Sequence, residues 1–224
     1  MKFKKIAAVL AVVWSIFLIS ACQSDSTANL KDLTVGQNDV QFGPYLWTVL
    51  ELQDDRAMLM TTDIVEKATY NDEYASITWE DCTLRAYLNG EFLENNFTDE
   101  EREQIIEVTN TNIDNVWFGT EGGNDTQDKV FILSIEEALS YFGDISTLDV
   151  DNDDELNYII DDEYNDKRIA RYEDENTWWW LRSPGNSSKF AATVTHKGIL
   201  EVGGYFVQSE FGIRPVIWVQ IPQD

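Results

Sequence analysis

Residues 177–185 read TWWWLRSPG, three tryptophans running through a leucine and an arginine into a Ser-Pro-Gly turn. The fold reading turns on whether this stretch is a ligand platform or a core strand. In an extended strand side chains alternate, so Trp178, Trp180 and Arg182 share one face while Trp179 and Leu181 share the other. The three rings therefore cannot form a single platform. A buried tryptophan removes about 150–250 Å² from water, which favours the core for two of the three. The one left exposed is the ligand candidate, and Trp178, at the start of the segment, is that residue. On this reading Arg182 lies over Trp180, a cation–π contact worth roughly 0.5–2 kcal/mol.

Outward from this segment, β-prone runs dominate both ends of the chain. FAATVT (190–195) and ILEV (199–202) flank His196-Lys197-Gly198, which reads as a three-residue hairpin turn. GIRPVIWVQI (212–221) closes the chain, and Pro215 points to an edge strand or a bulge. Near the other end, YLWTVLELQ (45–53) and RAMLMTTDIV (56–65) flank Asp54-Asp55 and form a second hairpin. KVFILS (129–134) is a further short strand.

Helix signals cluster between these ends. Thr78-x-x-Asp81 resembles a capping box opening a helix that Asn89-Gly90 stops, with Trp79, Cys82 and Ala86 on its inner face. Cys82 is then a small core residue, since neither a histidine nor a basic cluster lies near it to activate a thiol. Thr98-x-x-Glu101 and Ser134-x-x-Glu137 open two further helices, the second ended by Gly143. Strands at both ends with helices between them imply an α+β domain with two to three short helices and antiparallel hairpins.

Charge and chemistry narrow the function classes. The chain carries 16 basic and 41 acidic side chains, a net charge of −25, which opposes nucleic acid and anionic lipid surfaces. Glycans, surface proteins and cations stay open as partners. Asp149, Asp151 and Asp153 take positions 1, 3 and 5 of an EF-hand loop, but position 6 is Asp154 and position 12 is Ile160. They form no EF-hand; a calcium site of another kind is weighed here against a solvated acidic insertion spanning about 144–176. No other cofactor is expected. The single histidine, His196, sits in a turn, no G-x-S-x-G elbow exists, and the usual zinc sets are excluded. A carboxylate pair suited to carbohydrate hydrolysis gives no signal among so many acids. A non-catalytic binding or scaffolding module is the leading expectation, a carboxylate-dependent hydrolase of cell-wall or extracellular carbohydrate the alternative, and a purely structural module the third.

The N-terminus carries an address. Lys2, Lys4 and Lys5 precede the uncharged run IAAVLAVVWSIFLIS (6–20), the layout of a secretory signal. Ile19-Ser20-Ala21-Cys22 resembles the lipobox of bacterial lipoproteins, which implies a signal peptide over 1–21 and lipid on Cys22. It further implies a tether over 22–40, one domain over 41–222, and anchoring on the extracytoplasmic face of the cell membrane. Without the three signal lysines, 13 basic face 41 acidic side chains, a charge of about −28.

Three segments carry a second resemblance: WWLRSPG (179–185), FAATVTHKGILEVGG (190–204) and GIRPVIWV (212–219), together with WEDCTLRAYLNGEFLENNFTDEE (79–101). In this order they resemble bacterial domain-of-unknown-function family 6273, whose W-x-x-S-x-x-R-x-x-L-N segment is met here with Cys82 in place of serine. A more distant likeness, to the C-type lectin-like fold of formylglycine-generating sulfatase-modifying domains, implies that fold and makes Arg182 and Arg214 internal ion-pair partners. Those enzymes rely on reactive cysteines, and Cys82 alone does not supply them.

Overall fold

The hairpin around Asp54-Asp55 forms as expected, and the domain closes against it. In a computed structural model, which describes residues 30–149 and 158–222, β1 (Val40–Phe42) and β2 (Tyr45–Gln53) precede β3 (Arg56–Thr61), with Gln53 paired to Arg56 across the turn. Trp47 lies wholly buried on β2, its indole N–H donated to the Phe42 carbonyl at 2.7 Å. Leu30, within the expected tether, is buried against the domain.

Strand β4 (Glu66–Thr69) leads to a single turn of 3₁₀ helix over Trp79–Asp81 and then α1 (Thr83–Tyr87). Two expectations change here. Thr78 makes no side-chain cap; the Cys82 sulfur accepts from the Arg85 N–H and caps α1 instead. Gly90 kinks the helix without ending it, and α2 (Leu93–Asn96) follows through a wider π turn. The 3₁₀ turn advances by about three residues per turn, not 3.6, which rotates the later positions and leaves Ala86 exposed while Trp79, Cys82, Leu84 and Leu88 are buried.

Helix α3 (Asp99–Gln104) carries the Thr98/Glu101 capping box, and short strands β5 (Ile105–Ile106), β6 (Val108–Asn110), β7 (Thr126–Asp128) and β8 (Val130–Phe131) follow. Helix α4 (Ile135–Phe142) carries the Ser134/Glu137 box. The acidic region supplies β9 (Ile159–Ile160), α5 (Asn165–Arg168) and the small hairpin β10 (Arg171–Tyr172) and β11 (Glu175–Asn176). The final strands are β12 (Trp179–Pro184), β13 (Phe190–Val194), β14 (Leu200–Phe206), β15 (Glu210–Ile213) and β16 (Val216–Gln220).

Twelve of these strands form two six-stranded sheets, while β6 with β7 and β10 with β11 form separate two-stranded ribbons. One has the order β1-β2-β3-β16-β5, with β8 also on β16; the other runs β4-β15-β12-β13-β14-β9. Pairing is antiparallel throughout both, apart from β12 beside β15. Pro215 therefore marks neither an edge nor a bulge. It stands where the chain leaves β15 in one sheet and enters β16, a central strand of the other. The sequence-based fold class, a mixed α+β domain of antiparallel sheets with short helices, matches this architecture, with more helices than the two to three expected.

Strand β12 lies inside its sheet, between β15 and β13, and every residue from Trp179 to Pro184 is buried. Among the described residues no helix is long and apolar enough to cross a membrane. Cys22, Asp151 and Asp153 lie outside the described residues, and Asp149 ends a 3₁₀ helix over Ile145–Asp149.

Candidate functional site

The side chains that carry the second resemblance converge on buried polar junctions. Asp128 has no exposed surface and accepts from the Trp79 indole N–H at 3.1 Å, Arg85 Nε at 2.6 Å, Asn110 Nδ2 at 2.9 Å and the Thr126 hydroxyl at 2.7 Å. Asn89 Nδ2 reaches it at 3.4 Å and also donates to the Val130 carbonyl at 2.8 Å. A desolvated carboxylate is tolerated when its lone pairs are filled by charged and neutral donors, as here. Trp79, Arg85 and Asn89 thus fasten the helical segment to β7 and β8. Sequence reasoning missed Asp128, one of 41 acids and 43 and 39 residues from its partners Arg85 and Asn89.

Arg182 and Arg214 mark the other junctions, and they differ. Arg182 forks onto Glu137 of α4, with Nη2 to Oε1 at 2.8 Å and Nη1 bonded to Oε2, while Nη1 also donates to the Ile132 carbonyl at 2.9 Å. Burial opposes its charge, but the adjacent Glu137 outweighs that and holds the guanidinium above its ordinary pKa. Its ring contact is with Phe131, at 5.7 Å, and not with Trp180 as expected. The register of β12 shifts between Trp180 and Pro184, and the Trp180 ring is taken by Tyr70 and Phe211. Arg214, expected to form an ion pair, has none among the described residues. It donates to the Thr61 and Thr62 carbonyls and lies 5.0 Å from the Trp179 ring centroid, while Nη1 has no hydrogen-bond partner. Burial lowers its pKa to about 10, partly offset by Asp63.

The triplet divides by position along the chain, two rings in β12 and one ahead of it. Trp179 and Trp180 have no exposure, their indole N–H groups bonded to the Arg168 and Ala68 carbonyls. Trp178, just ahead of β12, is half-buried and donates to His196 Nδ1 at 3.1 Å. His196 is held there by its turn. The Thr195 hydroxyl accepts from the Lys197 and Ile199 N–H groups, and Gly198 takes φ +77°. A Cβ at Gly198 would meet the Asn165 carbonyl oxygen at 1.9 Å.

A continuous aromatic chain links this core to the surface. Trp180 packs on Phe211 at 4.9 Å between ring centroids, and Phe211 stacks on Trp178 at 5.3 Å with 21° between planes. From Trp178 the rings continue through Tyr205 at 6.0 Å, Phe206 at 5.8 Å and Tyr74 at 5.8 Å. Tyr205 and Phe206 are 43% exposed and Tyr74 49%, a clustering that isolated surface aromatics do not show. Lys189 Nζ lies 4.8 Å from the Tyr74 ring centroid. Sequence reasoning selected Trp178 from this surface and missed its neighbours, which reach it only through strand pairing.

A family model described as Domain of unknown function (DUF6273) matches residues 54–221. The chain belongs to this family. In this DUF6273 domain, Trp79, Arg85, Asn89, Arg182 and Arg214 are all turned into internal contacts. The Cys82 sulfur occupies the helix-capping place where the family pattern has serine. No curated protein and no solved structure matches the chain.

Other chemistry on the DUF6273 domain is sparse. Cys82 is buried and unpaired, and desolvation pushes its thiol up to about 12. Among the described residues no group of three or more His, Cys, Asp or Glu side chains is placed to hold a metal ion. A cavity of about 430 Å³ is lined by Glu107, Glu137, Tyr141 and Trp218, among others. Glu137 is committed there to Arg182. Glu201, whose carboxyl pKa is raised by burial, does not line that cavity.

Proposed function

We propose that this chain is a non-catalytic binding module, held on the extracytoplasmic face of the cell membrane by lipid on Cys22, that engages a glycan or a surface protein through its exposed aromatic face. The observation that carries this reading is the strip Trp178–Tyr205–Phe206–Tyr74, backed by Phe211 and continuous with the buried tryptophans. A strip anchored in the core holds its rings in place before a ligand arrives, which lowers the ordering cost of binding. The acidity of the chain supports partners other than nucleic acid. For the finer class of the fold we propose a C-type lectin-like domain. Its support is that the aromatic-Arg strand, the hairpin and the closing Gly-Ile-Arg strand lie side by side in one sheet.

The test uses cells that produce the full chain. Labelling with a palmitate analogue should be lost in Cys22→Ala, and cell-surface material retained by the purified chain should be lost in Trp178→Ala. Retention that survives Trp178→Ala and Tyr205→Ala together would overturn the assignment of the binding face.

A further inference from the structure

We propose that the aromatic strip takes a soluble, uncharged glycan chain, with one sugar ring stacked on Trp178 and the chain running toward Tyr74; this rests on the binding-face reading and adds its ligand class. Three features argue for that occupant. The first is the build of the Trp178 site. Phe211 covers one face of the indole at 21° and is itself seated on buried Trp180, while the indole edge is fixed by His196 Nδ1. His196 and Trp178 are tilted by only 31°, so the two rings extend one another as a plate. A pyranose ring has an apolar C–H face that matches such a plate and a rim of hydroxyls that needs polar partners. The candidate is Glu201, a half-buried carboxyl on β14. It pairs across from Thr193, which pairs across from Trp180, so all three side chains share a sheet face. Thr193 is fully buried on that face and its hydroxyl has no partner.

The second feature is the shape of the strip. Successive rings meet at 6.0, 5.8 and 5.8 Å, a step comparable to one sugar residue, with Phe211 beside Tyr205 and Phe190 beside Phe206. Successive planes turn by 69°, 87° and 57°, so the rings do not lie in one plane. That suits a chain free to twist and does not suit the flat face of a crystalline polysaccharide.

The third is charge. With a net charge of −25 the chain repels polyanions, and Lys189 and Lys197 near the ends of the strip do not reverse that field. A neutral chain meets no such barrier.

The experiment is calorimetric and fluorescence titration of the full chain with cello-, chito- and manno-oligosaccharides of increasing length, beside polygalacturonate and crystalline cellulose powder. At least one neutral series should bind, tighten with length, quench tryptophan emission, and weaken by about tenfold or more in Trp178→Ala. Tyr74→Ala should weaken only the longer members. Thermal melting shows that each variant is folded, and Tyr205→Ala provides a second probe of the same face. Preference for the polyanion or the crystalline surface would overturn the ligand class. So would the failure of every oligosaccharide, and if cell-surface retention still depended on Trp178 the binding face would stand without it. Indifference of both assays to Trp178→Ala would remove both claims.

Discussion

Trp178 and Trp180 are two residues apart, on the same side of one strand, and pack against the same Phe211 ring, yet they have opposite fates. Trp180 lies under Tyr70 with its N–H on a backbone carbonyl, part of the structure that every other residue leans on. Trp178 is only half-buried, stacked on Phe211, edged by Tyr205 and hydrogen-bonded to a turn residue. The difference teaches where function can reside in this domain. The residues that carry the family resemblance are spent on architecture, and the neighbouring exposed rings are free for a ligand.

The largest expected effect tests the buried side. Trp180→Ala removes a fully buried indole whose contacts span β4, β15 and the Tyr70 segment. It should cost about 3–5 kcal/mol, read by chemical denaturation. A loss below about 1 kcal/mol would show that the aromatic chain is not anchored in the core.

The two buried arginines sharpen the same contrast between paired and unpaired groups. Arg182→Met strands the Glu137 carboxylate, whose only ion-pair partner among the described residues is Arg182, and should cost about 3–5 kcal/mol. Arg214→Met strands no carboxylate and also removes the unpartnered Nη1, so its cost should be about 1–3 kcal/mol, set by the Thr61 and Thr62 carbonyls. Equal costs would contradict the different electrostatics assigned to them.

Cys82 gives a smaller effect with a definite sign. Its folded pKa, about 12, lies above the ordinary thiol value, so the folded state holds the proton more tightly than the unfolded state. That contribution is fully present below about pH 8.5 and is lost as the pH rises toward 12. Cys82→Ser should leave stability at neutral pH within about 1 kcal/mol, because serine is a good helix cap, and should flatten the thiol's part of the alkaline loss. Native Cys82 should resist thiol reagents at pH 8 until the chain is unfolded. Rapid labelling would contradict its burial.

The legible parts of the fold were local. The Asp54-Asp55 hairpin, the Thr98 and Ser134 capping boxes and the His196-Lys197-Gly198 turn each rest on contacts within a few residues. Trp178 is singled out from the sequence by its place at the start of the segment, where the chain has not yet entered β12. What escaped depends on distance along the chain. Asp128 gathers donors from residues 79, 85 and 89, and Tyr74, Phe206 and Phe211 meet the strip only once β15 and β14 flank their neighbours. Arg182 was misplaced because a register shift changes the alternation beyond Trp180, and Pro215 because a switch between two sheets looks locally like an edge.

The central claim, that stability and binding divide between Trp180 and Trp178, is met most directly by one paired measurement on Trp178→Ala. Its thermal midpoint and its retention of cell-surface material are compared with those of the unaltered chain. A midpoint within a few degrees together with lost retention is the predicted result. Full retention at an unchanged midpoint would contradict it.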